Sequence, residues 1–243
     1  MGKVFGVVSG KGGVGKSTVS VGLGLALAST GKTVLLVDMD EGLRCLDLLL
    51  GVDETAVFDL SDILSGKDIE DAVYTSAQSD KIFLIPAPLK AGSVDSESFS
   101  DFALKVKELY DIVIFDFPAG INLEFYKALP QGTLFLTVAV PDPVSVRDAA
   151  AISDLLYDAS LEARLIINRF KYKLKKKLRF KNIDEIIDSA SLRLVGVIPE
   201  SDEISIFSIT RSLPKKCKAF KAFIRIAERL TGDERLLPKM KKI

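Results

Sequence analysis

Gly10-Lys11-Gly12-Gly13-Val14-Gly15-Lys16-Ser17 is the stretch on which the reading of this 243-residue chain turns. It has the form G-x-x-x-x-G-K-[ST] of a phosphate-binding loop. Immediately before it, residues 4–9 (VFGVVS) read as a buried strand. Immediately after it, residues 17–30 read as a helix closed by Gly31. Glycines at these spacings let the backbone curl until its N–H groups converge on phosphate oxygens. The N-terminus of the following helix adds positive potential. Lys16 can then reach β- and γ-phosphates, and the Ser17 hydroxyl can ligate Mg²⁺. The blander alternative is a Gly-rich turn that only joins strand to helix.

Working outward, short dense apolar runs alternate with longer helical patterns. Residues 33–38 (TVLLVD), 81–86 (KIFLIP), 111–116 (DIVIFD), 134–140 (LFLTVAV), 163–168 (ARLIIN) and 194–198 (LVGVI) read as further strands. Helices are expected over 43–50, 59–64, 96–110, 144–157 and 215–230. Several strand runs are apolar throughout rather than alternating, which marks strands buried on both faces. The β-α-β order predicts an α/β chain: one doubly wound domain, its sheet mostly parallel and flanked by helices on both faces. Ligands in such sheets sit at the carboxyl ends of the strands.

Composition removes other chemistries. There is no His, which excludes His acid–base catalysis, His-ligated metals and Ser-His-Asp triads. Lys plus Arg and Asp plus Glu both number 33, so no overall basic field draws the chain to nucleic acid. Two cysteines, Cys45 and Cys217, close neither a zinc site nor a disulfide framework. No run reaches the ~18 apolar residues of a membrane span. The first nine residues lack a cleavage site, and Gly6 occupies the position where myristoylation needs Ser or Thr. The expected compartment is the cytoplasm.

Three carboxylates fall at or just past strand ends: Asp38, Asp40 and Asp116. Beside a phosphate loop they suit Mg²⁺, which takes oxygen ligands and keeps waters that carboxylates hold. Phosphoryl transfer needs positioning, charge neutralisation and one group that orients water. Without His, that group is a carboxylate, a Gln or a backbone atom. The alternative is that each Asp merely caps the following element.

The run Lys11-Gly12-Gly13-Val14-Gly15-Lys16-Ser17-Thr18 resembles the deviant Walker A motif of the MinD/ParA family of P-loop ATPases. The resemblance, which covers roughly residues 3–232, implies an ATPase domain over residues 1–232, with residues 233–243 as a C-terminal tail. It implies an ATP-dependent homodimer in which Lys11 reaches the partner's nucleotide. It casts Lys11, Lys16 and Asp40 as catalytic residues, Asp40 activating the water. It places Ser17, Asp38 and Asp116 around the metal, with ATP or ADP and Mg²⁺ as cofactors. Gly10, Lys11, Gly12, Gly13, Val14, Gly15, Lys16, Ser17 and Thr18 would cradle the nucleotide. Asn168, Arg169, Pro199 and Glu200 resemble the segments that flank adenine. An Asn amide suits the adenine edge, although Asn168 also reads as a plain strand-end cap.

Within the family, the MinD branch is the nearest likeness. Asp38-Met39-Asp40-Glu41-Gly42-Leu43-Arg44-Cys45-Leu46-Asp47-Leu48 resembles its switch I. Asp116-Phe117-Pro118-Ala119-Gly120-Ile121 and Val146-Arg147-Asp148 resemble two further stretches. Two positions depart: Cys45 stands for an Asn, and Phe117 for a Ser near the switch. Cys45 reads either as a redox thiol or as a small apolar filler. The likeness implies division-site placement, regulators such as MinC and MinE, and peripheral attachment to the inner face of the cell membrane in the ATP state. DNA is disfavoured as a partner. A DNA-associated positioning ATPase and a scaffold with weak turnover are the alternatives. The basic run 171–181 (KYKLKKKLRFK) is either a solvated face or a contact for an anionic surface. The tail has Leu236, Met240 and Ile243 at helical spacing, broken by Pro238, and reads as a membrane-targeting segment or a frayed end.

Overall fold

In the computed structural model, which describes residues 2–171, 180, 182–233 and 236–237, the apolar runs become one eight-stranded sheet. In chain order the strands are β1 (Lys3–Val8), β2 (Val34–Asp38), β3 (Tyr74–Thr75), β4 (Ile82–Ile85), β5 (Ile112–Asp116), β6 (Leu134–Ala139), β7 (Glu162–Phe170) and β8 (Leu194–Pro199). They lie side by side as β3-β4-β2-β5-β1-β6-β7-β8, and every pairing is parallel except β3 with β4. The helices are α1 (Lys16–Ala28), α2 (Leu46–Leu50), α3 (Leu60–Leu64), α4 (Ser96–Leu109), α5 (Leu123–Ala128), α6 (Pro143–Asp158), α7 (Ile183–Ala190), α8 (Asp202–Ser205), α9 (Phe207–Thr210) and α10 (Lys218–Thr231).

The continuous apolar runs are explained by two cores. Val34 and Leu36 enter one core with α1 and α10, while Leu35 and Val37 enter the other with α4. Alternate side chains of a strand point to opposite faces, so a strand covered on both sides has no polar face to offer. On the first face α10 is set closely into its neighbours. A Cβ on Gly22 of α1 would lie 2.4 Å from the Phe223 ring, and one on Gly196 of β8 would lie 2.3 Å from Ile226.

Register places the carboxylates. Asp116 pairs with Val7 on one side and with Asp38 on the other, at the carboxyl edge of the sheet. The strand order turns at β1, so the crevice forms where the phosphate loop leaves that strand.

The sequence pattern and the structure differ in places. The helix expected over 43–50 starts only at Leu46, because the Asp38 carboxylate takes the N–H groups of Cys45 and Leu46 and holds 40–45 as a loop. The strand expected to end at Asn168 runs on to Phe170 through a bulge between Ile167 and Phe170. Helices α5, α7, α8 and α9 and the short strand β3 are additional. For α7 a signal was present: Asn182 caps it, accepting from the Glu185 N–H at 2.8 Å. Of the basic run, Lys171 and Phe180 are described; residues 172–179 and 181 lie outside the described residues, as do 234, 235 and 238–243 of the tail.

Candidate functional site

The loop after β1 closes on itself through two left-handed residues, Gly13 (φ +77°) and Gly15 (φ +85°). Gly15 also lies under a close neighbour, since a Cβ there would sit 2.6 Å from Asn168 Nδ2. At the loop's start a Cβ on Gly10 would meet Asp148 of α6 at 2.7 Å, so Asp148, in the first turns of that helix, packs against the phosphate loop.

Lys16 opens α1 and is buried, its Nζ 3.5 Å from Asp116 Oδ1. That oxygen also accepts from Ser20 Oγ at 2.8 Å. The other carboxylate oxygen, Asp116 Oδ2, is buried and accepts no hydrogen bond among the described residues. A carboxylate oxygen withdrawn from water without a donor is costly, and a cation or its bound water satisfies it. The donor set around it therefore fits Mg²⁺: Asp116, the Ser17 hydroxyl and the adjacent Asp38 are hard oxygen groups. Among the described residues no three Asp, Glu or Cys side chains form a metal centre by themselves. Phosphate oxygens would complete the set.

Asp38 is fully buried, and both its oxygens are engaged. Oδ1 accepts from Asp40 N at 3.0 Å, and Oδ2 from Cys45 N and Leu46 N at 3.1 Å each. Burial, then the nearby Asp116 charge, pushes its carboxyl up to about 7 against the pull of those three bonds. Asp40 is half-exposed and is likewise raised by burial, with Lys16 opposing. Cys45 hydrogen-bonds with the Ser17 side chain, and burial pushes its thiol up to about 11. It is therefore a neutral thiol beside the proposed metal ligand, not a reactive thiolate.

The switch loop is clipped to the loop after β4. Glu41 accepts from Gly92 N (2.7 Å), Ser93 N (3.1 Å) and Val94 N (2.9 Å), and Gly42 N donates to Pro88 O at 2.9 Å. Arg44 pairs with Asp47 at 2.5 Å. On the other side, Phe117 is wholly buried against Tyr126, ring centroids 4.9 Å apart. It belongs to an aromatic cluster rather than to the switch. Tyr126 Oη donates to Gly120 O at 3.1 Å, and Gly120 N to Ser9 O at 2.9 Å. The departure at Phe117 thus helps fix the loop after β5 to the start of the phosphate loop.

Two cavities meet at Thr18. A groove of about 190 Å³ is lined by Ser9, residues 11–18, Asp40 and Ala119. A cavity of about 350 Å³ is lined by Thr18, Asn168, Arg169, Pro199, Glu200, Ser201, Ile204 and Ser205. The β7 bulge builds the second. Arg169 sits in the left-handed region (φ +54°), and the bulge sends Asn168 inward. Asn168 Nδ2 donates to Val14 O at 2.8 Å, which commits one of its two N–H groups to the phosphate loop and leaves Oδ1 as an acceptor. Glu200 is paired with Lys171 at 2.7 Å. Of the candidate site residues, Lys11 to Thr18, Asp40, Asn168, Arg169, Pro199 and Glu200 line these two cavities, while Gly10, Asp38 and Asp116 do not, Asp116 reaching the groove through its contact with Lys16. The sequence reading missed Ser9, Ser20, Glu41 and Ala119; Ser20, four residues after Lys16, was accessible from helical spacing.

Comparison with known proteins agrees with this geometry. Residues 5–212 match the CobQ/CobB/MinD/ParA nucleotide binding domain. The septum site-determining protein MinD of Thermotoga maritima is 35% identical over 243 residues, 96% of this chain and 89% of that one. MinD of Bacillus subtilis is 35% identical over 242 residues, with 96% and 90% covered. Among solved structures, the MinC:MinD complex of Aquifex aeolicus superposes with a TM-score of 0.87 at 32% identity, over 98% of this chain and 99% of that one. MinD from Pyrococcus horikoshii complexed with Mg-ADP gives 0.83 at 29% identity, over 96% and 97%. The chain belongs to the CobQ/CobB/MinD/ParA nucleotide-binding family, within its MinD, septum site-determining, branch.

Proposed function

We propose that the protein is an Mg²⁺-dependent ATP hydrolase whose ATP state is a homodimer associated with an anionic membrane in division-site placement. The observation that carries the chemistry is Asp40 lining the same small groove as the phosphate loop. Residues 11–18 would hold the phosphates, with Lys16 on the β- and γ-phosphates. Ser17 would ligate Mg²⁺, and Asp116 and Asp38 would hold its waters. Bound Mg²⁺ supplies charge neutralisation at the phosphates. Asp40, raised by burial, is the group placed to orient a water and take its proton. Asn168 Oδ1 would accept from the adenine amino group, with Arg169, Pro199 and Glu200 bounding the base.

Lys11 is exposed on the groove's rim and makes no ion pair among the described residues. A cation held there with no ion-pair partner among the described residues suits a nucleotide on a second chain. By analogy with the MinC:MinD complex of Aquifex aeolicus, a MinC-type regulator is a partner class, and a MinE-type regulator follows from the family likeness. Among the described residues no helix is long and apolar enough to cross a membrane, so membrane contact would be peripheral, through residues 233–243.

The test separates chemistry from assembly. Asp40→Ala should bind ATP and dimerise while turnover falls at least about tenfold, the scale of a lost acid–base or positioning group. Lys11→Ala should remain monomeric with ATP by light scattering. A monomeric Asp40 variant or a dimeric Lys11 variant contradicts the assigned roles.

A further inference from the structure

Helix α10 carries its charge in one place. Lys218, Lys221 and Arg225 recur at helical spacing on its outer side, and Lys215 and Lys216 precede it. The four lysines are exposed, and none makes an ion pair among the described residues. The opposite side, including Phe220, Phe223, Ile226 and Leu230, is buried. The two elements under it bring no carboxylate: α1 reads KSTVSVGLGLALA and β8 reads LVGVIP. Glu228 is the helix's one acid, three residues past Arg225. In a chain whose charges sum to zero, four unneutralised lysines within seven residues make a strong local field.

The position of this stripe gives it a partner. At fourteen residues, α10 runs about 21 Å. It starts after α9, on the side of the base cavity, and ends at the other end of the sheet. There Lys3 Nζ donates to Leu230 O at 3.0 Å, and Thr231 lines a hollow with Gly2, Lys32 and Thr33. Residues 233–243 therefore leave from the end farthest from the nucleotide groove. In a pair of chains joined groove to groove, those two exits lie far apart. A flat surface meeting both must pass along the flank between them, and on each chain α10 runs along the side that leads to its exit.

We infer that the outer face of α10, centred on Lys218, Lys221 and Arg225, is an anionic-lipid contact that acts together with residues 233–243. The inference rests on the membrane association proposed above. Lysines near a charged bilayer attract it over roughly a Debye length, so the helix needs only to lie near the headgroups, not to insert. The stripe orients the dimer, and the apolar residues beyond it insert.

The test is cosedimentation of the full chain, with ATP and with ADP, using phosphatidylcholine vesicles with and without phosphatidylglycerol. Lys218→Glu/Lys221→Glu/Arg225→Glu should weaken ATP-state binding to the anionic vesicles at least about tenfold. Its ATP turnover without vesicles should match the unmodified protein, which also reports that it folds. The milder Lys218→Gln/Lys221→Gln should give a smaller loss in the same direction. Leu236→Ser/Leu237→Ser should reduce binding to both vesicle types. If the charge-reversed protein binds anionic vesicles as tightly as the unmodified one while the leucine variant fails, the α10 inference is overturned and the membrane reading stands. If the unmodified protein sediments with neither vesicle in either nucleotide, the membrane reading itself falls. If charge reversal removes ATP-dependent binding to duplex DNA and leaves vesicle binding intact, the face is a nucleic-acid contact and the lipid assignment is overturned.

Discussion

Removing the Glu41 carboxylate should open the switch loop without disturbing the phosphate cradle. The side chain sits next to Asp40 and accepts three backbone N–H groups, from Gly92, Ser93 and Val94. Buried hydrogen bonds to a charged acceptor are worth about 1.5–3 kcal/mol each, but Gly92 is exposed and Glu41 only half-buried. Solvent competition brings each down to about 0.5–1 kcal/mol, so the three together hold the loop by about 2 kcal/mol. At 1.36 kcal/mol per decade, Glu41→Ala should raise the open fraction about 30-fold. Hydrogen exchange of the three amides in the nucleotide-free protein reads this directly. Exchange should accelerate by about that factor at 92–94 and stay unchanged at the amides of β5. Glu41→Gln should lie between, since one amide oxygen placed at Oε1 keeps two of the three bonds. ATP turnover should fall while ATP affinity holds, because Asp40 loses its support and Lys16 does not. If the three amides exchange equally fast with and without the carboxylate, the clasp carries no free energy and the reasoning is wrong.

Lys16→Ala should abolish ATP binding by calorimetry, because it removes the buried ammonium and leaves the Asp116 carboxylate without its cation; near-normal affinity would sink the site assignment. Gly22→Ala places a Cβ 2.4 Å from the Phe223 ring, so overpacking should outweigh the helix-propensity gain by about 1–2 kcal/mol. Thermal unfolding should show a melting temperature about 2–8 °C lower, partly recovered by adding Phe223→Leu. Cys45, with its thiol pushed up to about 11, should react with iodoacetamide at pH 8 on the order of a hundredfold more slowly than free cysteine, and the rate should climb as pH rises toward that value. Rapid modification at pH 8 would refute the neutral-thiol assignment.

Much of this was readable from the chain because the decisive signals are local. The phosphate loop is eight consecutive residues, and the doubly buried strands announce themselves as unbroken apolar runs. Asp38 and Asp116 sit at strand ends by simple counting, and parallel register then brings them together. What escaped depends on contacts distant in sequence. The start of α2 is set by Asp38, seven and eight residues earlier, rather than by apolar spacing. Asn168 reaches across 154 residues to Val14, and a bulge that no residue pattern marks aims it there. Phe117 read as a switch position, but the Tyr126 ring that claims it lies on a helix the pattern did not show. The clasp made by Glu41 was not legible because its three partners belong to a loop about fifty residues away.

The inset of α10 against Gly22 and Gly196 has a mechanical consequence. Helix α1 begins at the residues that would grip the phosphates, and α10 ends where residues 233–243 depart. With an aromatic ring and an isoleucine seated where side chains would otherwise stand, the two helices and β8 form one stiff block. Such a block has no slack through which bound ATP could swing the departing segment relative to the groove. In the proposed dimer, control over attachment would then come from copy number: ATP would decide whether two blocks are coupled, not how one is bent. A switch built that way responds to the square of its own concentration when dilute. Once ATP is saturating, a modest local enrichment of the chain would sharpen its attachment more than an equal rise in nucleotide.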